Sequence, residues 1–165
     1  MATTYEPIAT TTLGTAAATI TFSSISSSYT DLKIVLVGTT TGSVVPAIRL
    51  NGDTASNYSD TYLTGDGASA TSGRTTSSTE MFITENTTTS TTVPIMINLD
   101  ILSYRSAVNK TVLSSNSADK NGSGVVERVV GLWRNTAAIT SVELRARSST
   151  WATGTTATLY GILKA

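Results

Sequence analysis

Short runs of alternating apolar and polar residues recur along the chain, and turn residues separate them. The clearest run is 139–146, where Val142 and Leu144 alternate with Glu143 and Arg145. This period of two places successive side chains on opposite faces of a β-strand. No segment has convincing helical periodicity. The pattern predicts about nine to eleven short strands.

The predicted strands cover nearly the whole chain: 5–9, 18–22, 31–37, 44–50, 81–83, 93–102, 111–113, 125–133, 139–146 and 156–163. In 31–37 both alternating sets are apolar, which predicts a central strand buried on two faces. The Ser- and Thr-rich stretch 54–79 is interpreted as a long surface excursion with one short strand in its middle. The residues expected to form the core are Ile20, Phe22, Leu32, Ile34, Leu36, Ile48, Ile95, Ile97, Val130, Leu132, Val142, Leu144, Leu159 and Ile162.

This spacing of strands predicts an all-β fold, an antiparallel β-sandwich with a jelly roll as the expected arrangement. Residues 1–165 form one domain, because no linker or fixed-period repeat divides the chain. Residues 1–9 have two interpretations. Pro7 cannot donate a ladder hydrogen bond, so the segment is either an edge strand or an N-terminal arm.

The amino-acid composition limits the catalytic and metal-binding chemistry that the side chains can perform. Ser and Thr make up about a third of the 165 residues, and the chain has no His and no Cys. The usual acid–base relay, the thiolate nucleophile and the thiolate metal site are therefore missing, and we expect no enzyme activity, no cofactor and no metal.

Charge and hydropathy give further expectations about partners. The formal net charge is zero, with 11 basic and 11 acidic residues, which disfavours nucleic-acid binding and gives little protection against self-association. The chain shows no long apolar run typical of a membrane span and no signal peptide pattern. We therefore expect no membrane partner.

Two groups of oxygen-bearing side chains are candidate sites. One could bind a cation and comprises Asn51, Asp53, Asn57, Asp60 and Asp66. The other could supply a carboxylate pair for glycoside hydrolysis and comprises Glu80, Glu85, Asp100 and Glu127. The spacing selects neither site, and Asp and Asn are ordinary turn residues, so turns and solvated strand faces are the favoured interpretation.

Two other features are candidate interface elements. Glu143, Arg145 and Arg147 share one face of a strand, which is either a solvated face or a subunit interface where the arginines pair with carboxylates of a neighbouring subunit. Trp151 lies in a polar loop, where a Trp is either a lid on the core or an interface anchor. We favour the anchor slightly.

The chain resembles small structural proteins of tailed bacteriophages in segments that keep their order over nearly its whole length. These segments are Tyr5-Glu-Pro-Ile-Ala9, Ile20-Thr-Phe22, Ser24-Ile-Ser26, Tyr29-Thr-Asp-Leu32, Arg49-Leu-Asn-Gly-Asp53, Asn57-Tyr-Ser59, Tyr62-Leu63, Gly65-Asp-Gly-Ala-Ser69, Gly131-Leu-Trp133, Ala137-Ala-Ile-Thr-Ser141 and Thr156-Ala-Thr-Leu-Tyr-Gly-Ile162. The resemblance implies a β-sandwich or jelly-roll virion component without catalytic residues.

The first expectation from this resemblance is a capsid decoration (cement) protein that is made in the host bacterial cytoplasm and lies on the capsid exterior. It would bind the major capsid protein as a homotrimer, through Tyr5, Pro7 and Ile8 of the N-terminal segment and through Trp151. The alternative is a fibre, collar or tail module that recognises a host surface glycan. A free carbohydrate-binding domain is a third interpretation, disfavoured by the small number of aromatic residues.

Overall fold

The computed structural model describes residues 4–163. Over this range the chain forms twelve β-strands and no helix. In chain order the strands are β1 (Tyr5–Thr12), β2 (Thr19–Phe22), β3 (Asp31–Gly38), β4 (Ala47–Leu50), β5 (Tyr58–Gly65), β6 (Ala70–Ser78), β7 (Met81–Phe82), β8 (Ile95–Ile101), β9 (Lys110–Ala118), β10 (Val125–Trp133), β11 (Val142–Arg145) and β12 (Thr156–Ile162). In the part of the chain that is described, no helix is long and apolar enough to cross a membrane.

The strands form two antiparallel sheets. The larger has eight strands in the order β1-β12-β3-β8-β9-β10-β5-β6, and the smaller has four in the order β2-β11-β4-β7. The predicted all-β antiparallel class is therefore confirmed. The jelly roll is not confirmed, because the usual eight-stranded double sheet differs from this division into eight and four strands.

The core lies between the sheets and draws side chains from both. Ile34 and Leu36 of β3 belong to the same buried cluster as Ile48 of β4 and Leu144 of β11. The predicted core residues that are buried are Ile20, Phe22, Leu32, Ile34, Leu36, Ile48, Ile95, Ile97, Val142, Leu144 and Leu159. Apolar burial of this kind is the main favourable term in folding.

The predicted inward face of β10 is wrong. Val130 is 46% exposed and Leu132 is only partly buried, whereas Val129 and Trp133 are buried. Gly131 also faces inward, and the Met81 side chain occupies the space where a Cβ at position 131 would lie. Because β10 is apolar on both faces, alternation alone could not select the buried set. On β12, Ile162 is likewise only partly buried.

Two other predictions from the sequence are corrected. The stretch 54–79 contains two long paired strands, β5 and β6, instead of a surface excursion with one short strand. Strand β3 is central in its sheet, but Val37 is 44% exposed, so its second apolar face is not covered. Both errors concern the same large sheet, whose far side lacks a covering layer.

The N-terminal segment forms an edge strand. Residues of β1 pair with β12 from Tyr5↔Ile162 to Thr12↔Thr156, with an irregularity between Pro7 and Ala9. Ile8 is partly buried and packs against the core. An irregular edge strand containing proline fits the edge interpretation of residues 5–9. Residues 1–3 lie outside the described range.

Candidate functional site

The side of the eight-stranded sheet that points away from the smaller sheet is exposed, and we call it the outer face. Six of the eight large apolar side chains that are exposed in residues 4–163 belong to strands of this sheet: Tyr5, Val37, Leu63, Met96, Val126 and Val130. The other two, Leu102 and Val108, lie in the loop between β8 and β9. Concentrated exposed apolar surface marks an interaction site more often than scattered single residues do.

Strand pairing places part of this apolar surface in one row. Val37 is opposite Met96, Met96 is opposite Ser117, and Ser117 is opposite Val126. Neighbouring strands lie about 4.8 Å apart, so the row spans about 14 Å from Val37 to Val126. A shallow cleft of about 440 Å³ runs along it and is lined in part by Pro94.

The centre of the outer face is close to neutral. Lys33 and Asp100 lie opposite each other on β3 and β8, and Lys33 Nζ is 2.7 Å from Asp100 Oδ1. Threonine hydroxyls pair at the β1 edge, where Thr10 and Thr158 are 3.1 Å apart. A sheet face with apolar, hydroxyl and internally paired charged groups can be desolvated at modest cost.

The structure separates the predicted contact residues. Tyr5 is 53% exposed and Pro7 is exposed, both at the β1 edge of the large sheet, whereas Ile8 packs against the core. Trp151 is fully buried, and its Nε1 donates a hydrogen bond to the Leu144 carbonyl at 3.1 Å. The interpretation of Trp151 as an exposed anchor is corrected: this Trp is a lid on the core.

The predicted subunit-interface residues form a charged network on the smaller sheet. Arg147 Nε lies 2.8 Å from Glu80 Oε1, and Arg145 Nε lies 3.1 Å from Glu80 Oε2. Glu143 contacts Arg145 at 3.5 Å, and the Arg147 guanidinium lies 4.5 Å from the centre of the Phe82 ring. These side chains are paired within the chain, and their role between subunits remains a prediction.

The candidate cation loop has a structural role instead. Asp53 accepts hydrogen bonds from Asn57 Nδ2 at 2.9 Å and from Trp133 Nε1 at 2.7 Å. Desolvation by burial would raise the pKa of Asp53, but these hydrogen bonds outweigh it and hold the pKa below the usual value. Asn51 binds the segment at Ala138. Among residues 4–163, no group of three or more acidic side chains is placed to hold a metal ion.

Glu127, one of the predicted carboxylates, is buried beneath the segment that follows β7. Its carboxylate accepts hydrogen bonds from the backbone N–H groups of Glu85, Asn86 and Thr87 at 2.9–3.1 Å, and from the Thr64 hydroxyl at 2.9 Å. A buried carboxylate is tolerated when several donors satisfy it. Glu127 therefore fixes this segment onto β5 and β10.

Asp60 and Glu85 form a pair of carboxyl groups beside Glu127. Asp60 is 3% exposed and accepts a hydrogen bond from the Phe82 N–H at 3.3 Å. Desolvation by burial and repulsion from the nearby Glu85 carboxylate raise the pKa of Asp60 to about 8. Both effects favour the protonated form of the Asp60 carboxyl. Sequence spacing did not select this pair, because β5 and the segment after β7 meet only in the folded chain.

The residues of the outer face were not identified as a site from the sequence, although a signal was present. Strand 31–37 is apolar on both faces, and this pattern predicts burial on two sides; 125–133 also carries apolar residues on both faces. In a two-layer fold, the second apolar face of such a strand points to the surface. Comparison with known proteins finds no family model, no curated protein and no solved structure that matches this chain.

Proposed function

We propose that this chain is a noncatalytic virion structural protein of a bacteriophage, a decoration (cement) protein that docks on the major capsid protein from the capsid exterior. The observation that carries the proposal is the concentration of exposed apolar side chains on the outer face. The ordered similarity of sequence segments to small phage structural proteins supports the same assignment.

The outer face is better suited to docking than the N-terminal segment is. Residues of β1 already use their backbone groups to pair with β12, so they are not a free arm. The outer face, in contrast, offers a wide sheet surface with the apolar row Val37, Met96 and Val126. Burying such side chains against a partner is favourable by about 25 cal/mol per Å² of apolar area.

A homotrimer would make a modest docking contact effective. Three copies that bind neighbouring capsid subunits act together, and their avidity exceeds the affinity of one contact. The zero net charge imposes no long-range repulsion between copies. The trimer is part of the proposal and is tested separately below.

The test compares two double variants that remove similar exposed apolar groups. Leu63→Ser with Val126→Ser changes the outer face, and Leu102→Ser with Val108→Ser is the matched control in the β8–β9 loop. Each protein is mixed with phage particles that lack it, and binding is measured by co-sedimentation. We expect the outer-face variant to bind at least about tenfold more weakly, and the control to bind like the natural chain.

Two results would contradict the proposal. Equal binding by both double variants would mean that the outer face is not the docking surface. Binding of the natural chain to host cells, competed by free host polysaccharide, with none to capsids, would favour the fibre, collar or tail module. Cryo-electron microscopy of decorated particles would locate the bound protein in either case.

A further inference from the structure

Three arginines lie along strand β5 at one side of the outer face. Arg74 of β6 is opposite Thr61, and Arg128 of β10 is opposite Leu63. Arg134 follows β10 and reaches Ser59, with its Nη1 3.3 Å from the Ser59 hydroxyl. The spacing of strands and residues places the Cα atoms of Arg74 and Arg128 about 12 Å apart.

None of these arginines forms an ion pair with a carboxylate within residues 4–163. Arg128 donates to the Ser115 hydroxyl, and Arg134 donates to the Ser56 carbonyl at 2.7 Å. The nearest carboxylates on these strands, Asp60 and Glu127, are both buried on the opposite side of the sheet. Positive charge is therefore uncompensated on this part of the outer face.

A groove lies beside Arg74, and Arg128 and Arg134 lie outside its lining. It has a volume of about 330 Å³, and we call it the arginine groove. Its lining includes hydroxyl, guanidinium and apolar groups together with Asp60, which is only 3% exposed: Ser59, Asp60, Thr61, Arg74, Thr75, Val130 and Leu132. Thr61 and Leu63 of β5 lie between Arg74 and Arg128, and both Leu63 and Val130 are exposed.

We propose that the arginine groove receives an acidic segment of the protein on which this chain docks, and that Asp or Glu side chains of that segment pair with Arg74 in the groove and with Arg128 beside it on the outer face. This inference rests on the proposed function and specifies the chemistry of its partner. Arginine pairs with carboxylates through two parallel hydrogen bonds, which gives both direction and strength.

The composition of the groove favours a protein partner over other anions. Single-stranded nucleic acids are usually bound where aromatic rings stack on the bases, and no aromatic side chain lines this groove. Exposed Leu63 and Val130 add apolar contact beside the charges, as in a protein interface with a charged rim.

The test uses charge reversal in the full chain with phage particles that lack it as the probe. The variant carries Arg74→Glu and Arg128→Glu. The control Arg105→Glu changes an exposed arginine of the β8–β9 loop, whose Nη1 donates to the Ser27 carbonyl. We expect the double variant to bind at least about tenfold more weakly and the control to bind within about twofold of the natural chain.

A charge-removing variant separates lost attraction from new repulsion. Arg74→Gln with Arg128→Gln should bind with intermediate affinity and should show a weaker dependence on salt than the natural chain between about 50 and 500 mM NaCl. Unchanged circular dichroism and thermal midpoints would show that all variants fold.

Three outcomes would overturn the inference. If the charge-reversed variant binds like the natural chain while the Leu63→Ser, Val126→Ser variant fails, the acidic partner is wrong and the proposed docking face stands. If Arg105→Glu binds particles as weakly as the double variant does, the loss of binding comes from the change in net charge and not from the arginine groove. Tighter binding to a single-stranded DNA oligonucleotide than to particles, abolished by Arg74→Glu with Arg128→Glu, would make the groove a nucleic-acid site.

Discussion

At the scale of single residues, the buried carboxyl groups are the side chains whose desolvation most needs to be compensated by the fold. Glu127 is 1% exposed and forms no ion pair within residues 4–163, so backbone N–H groups and one hydroxyl supply its stabilisation. For Asp60, burial and the nearby Glu85 carboxylate raise the pKa, which favours the neutral carboxyl. Both arrangements attach the segment after β7 to the large sheet, which closes the core at that side.

Removing the Glu127 carboxylate should be costly. Glu127→Ala leaves four donors without their acceptor, two of them fully buried, and we expect a loss of about 3–5 kcal/mol in the free energy of unfolding. The control Glu143→Ala removes a partly exposed carboxylate and should cost less than about 1 kcal/mol. Urea denaturation measures both. Equal losses would show that Glu127 does not organise the segment.

The Asp60 carboxyl should make stability fall as pH rises. Its pKa of about 8 in the folded chain exceeds its value of 3.8 in the absence of the fold, so the folded state retains a proton that the unfolded state releases. This contribution is complete below about pH 4 and is lost as pH rises through about 8. The group facing Asp60 with a like charge is Glu85, which strengthens the effect.

Asp60→Asn tests this dependence, because an amide stays neutral at every pH. We expect the variant to lose less stability than the natural chain between about pH 6 and 9 in urea denaturation. Asp100→Asn is the control, since Asp100 pairs with Lys33 at the surface. An unchanged slope in Asp60→Asn would show that Asp60 is ionised at neutral pH.

At the scale of secondary structure elements, β10 decides which surface is buried and which is exposed. Its residues alternate between the core and the outer face, and both sets contain apolar side chains. The inward positions are fixed by features outside β10: Met81 packs over Gly131, and the segment after β7 binds Glu127. The exposed valines are thereby left on the outer face.

Adjacent valines of β10 give a matched test of this assignment. Val129 is 1% exposed and Val130 is 46% exposed. Val129→Ala should cost about 2 kcal/mol of unfolding free energy, because it removes two buried carbons and leaves a cavity. Val130→Ala should stay within about 0.5 kcal/mol of the natural chain. The reverse order in thermal or urea denaturation would mean that the strand faces are exchanged.

At the scale of the whole molecule, the sandwich has two different exteriors. The smaller sheet carries Glu80 and Glu143, and every arginine beside them, Arg49, Arg145 and Arg147, is paired with a carboxylate. The larger sheet exposes apolar side chains and the uncompensated Arg74 and Arg128. This asymmetry orients the proposed docking, with the larger sheet toward the capsid and the smaller sheet toward neighbouring copies or solvent.

The oligomeric state follows from the proposed role and can be measured directly. We expect light scattering at micromolar concentration to give three times the 17.1 kDa mass of one chain. If Glu143, Arg145 and Arg147 lie between subunits, Arg145→Ala with Arg147→Ala should shift the mass toward the monomer. A monomeric mass for the natural chain would remove the trimer from the proposal, while the docking face would remain testable.

Much of the fold could be predicted from the sequence because strand alternation is a local property. The buried positions of β11 and the turn at Asn51-Gly52 follow from neighbouring residues alone, and both Asn51 and Gly52 have positive φ angles there. The missing His and Cys likewise limit the available chemistry without any structure.

Other properties depend on residues that are far apart in sequence, so only the tertiary structure determines them. Apolar residues on both faces of β3 and β10 are compatible with burial on either side, and the position of the smaller sheet makes the choice. Segments that are far apart in sequence meet at the Asp60–Glu85 pair and at the arginine groove. The packing of the core decides that Trp151 is buried. Local patterning determines the strands, whereas the pairing and layering of strands determine which of their faces meets solvent.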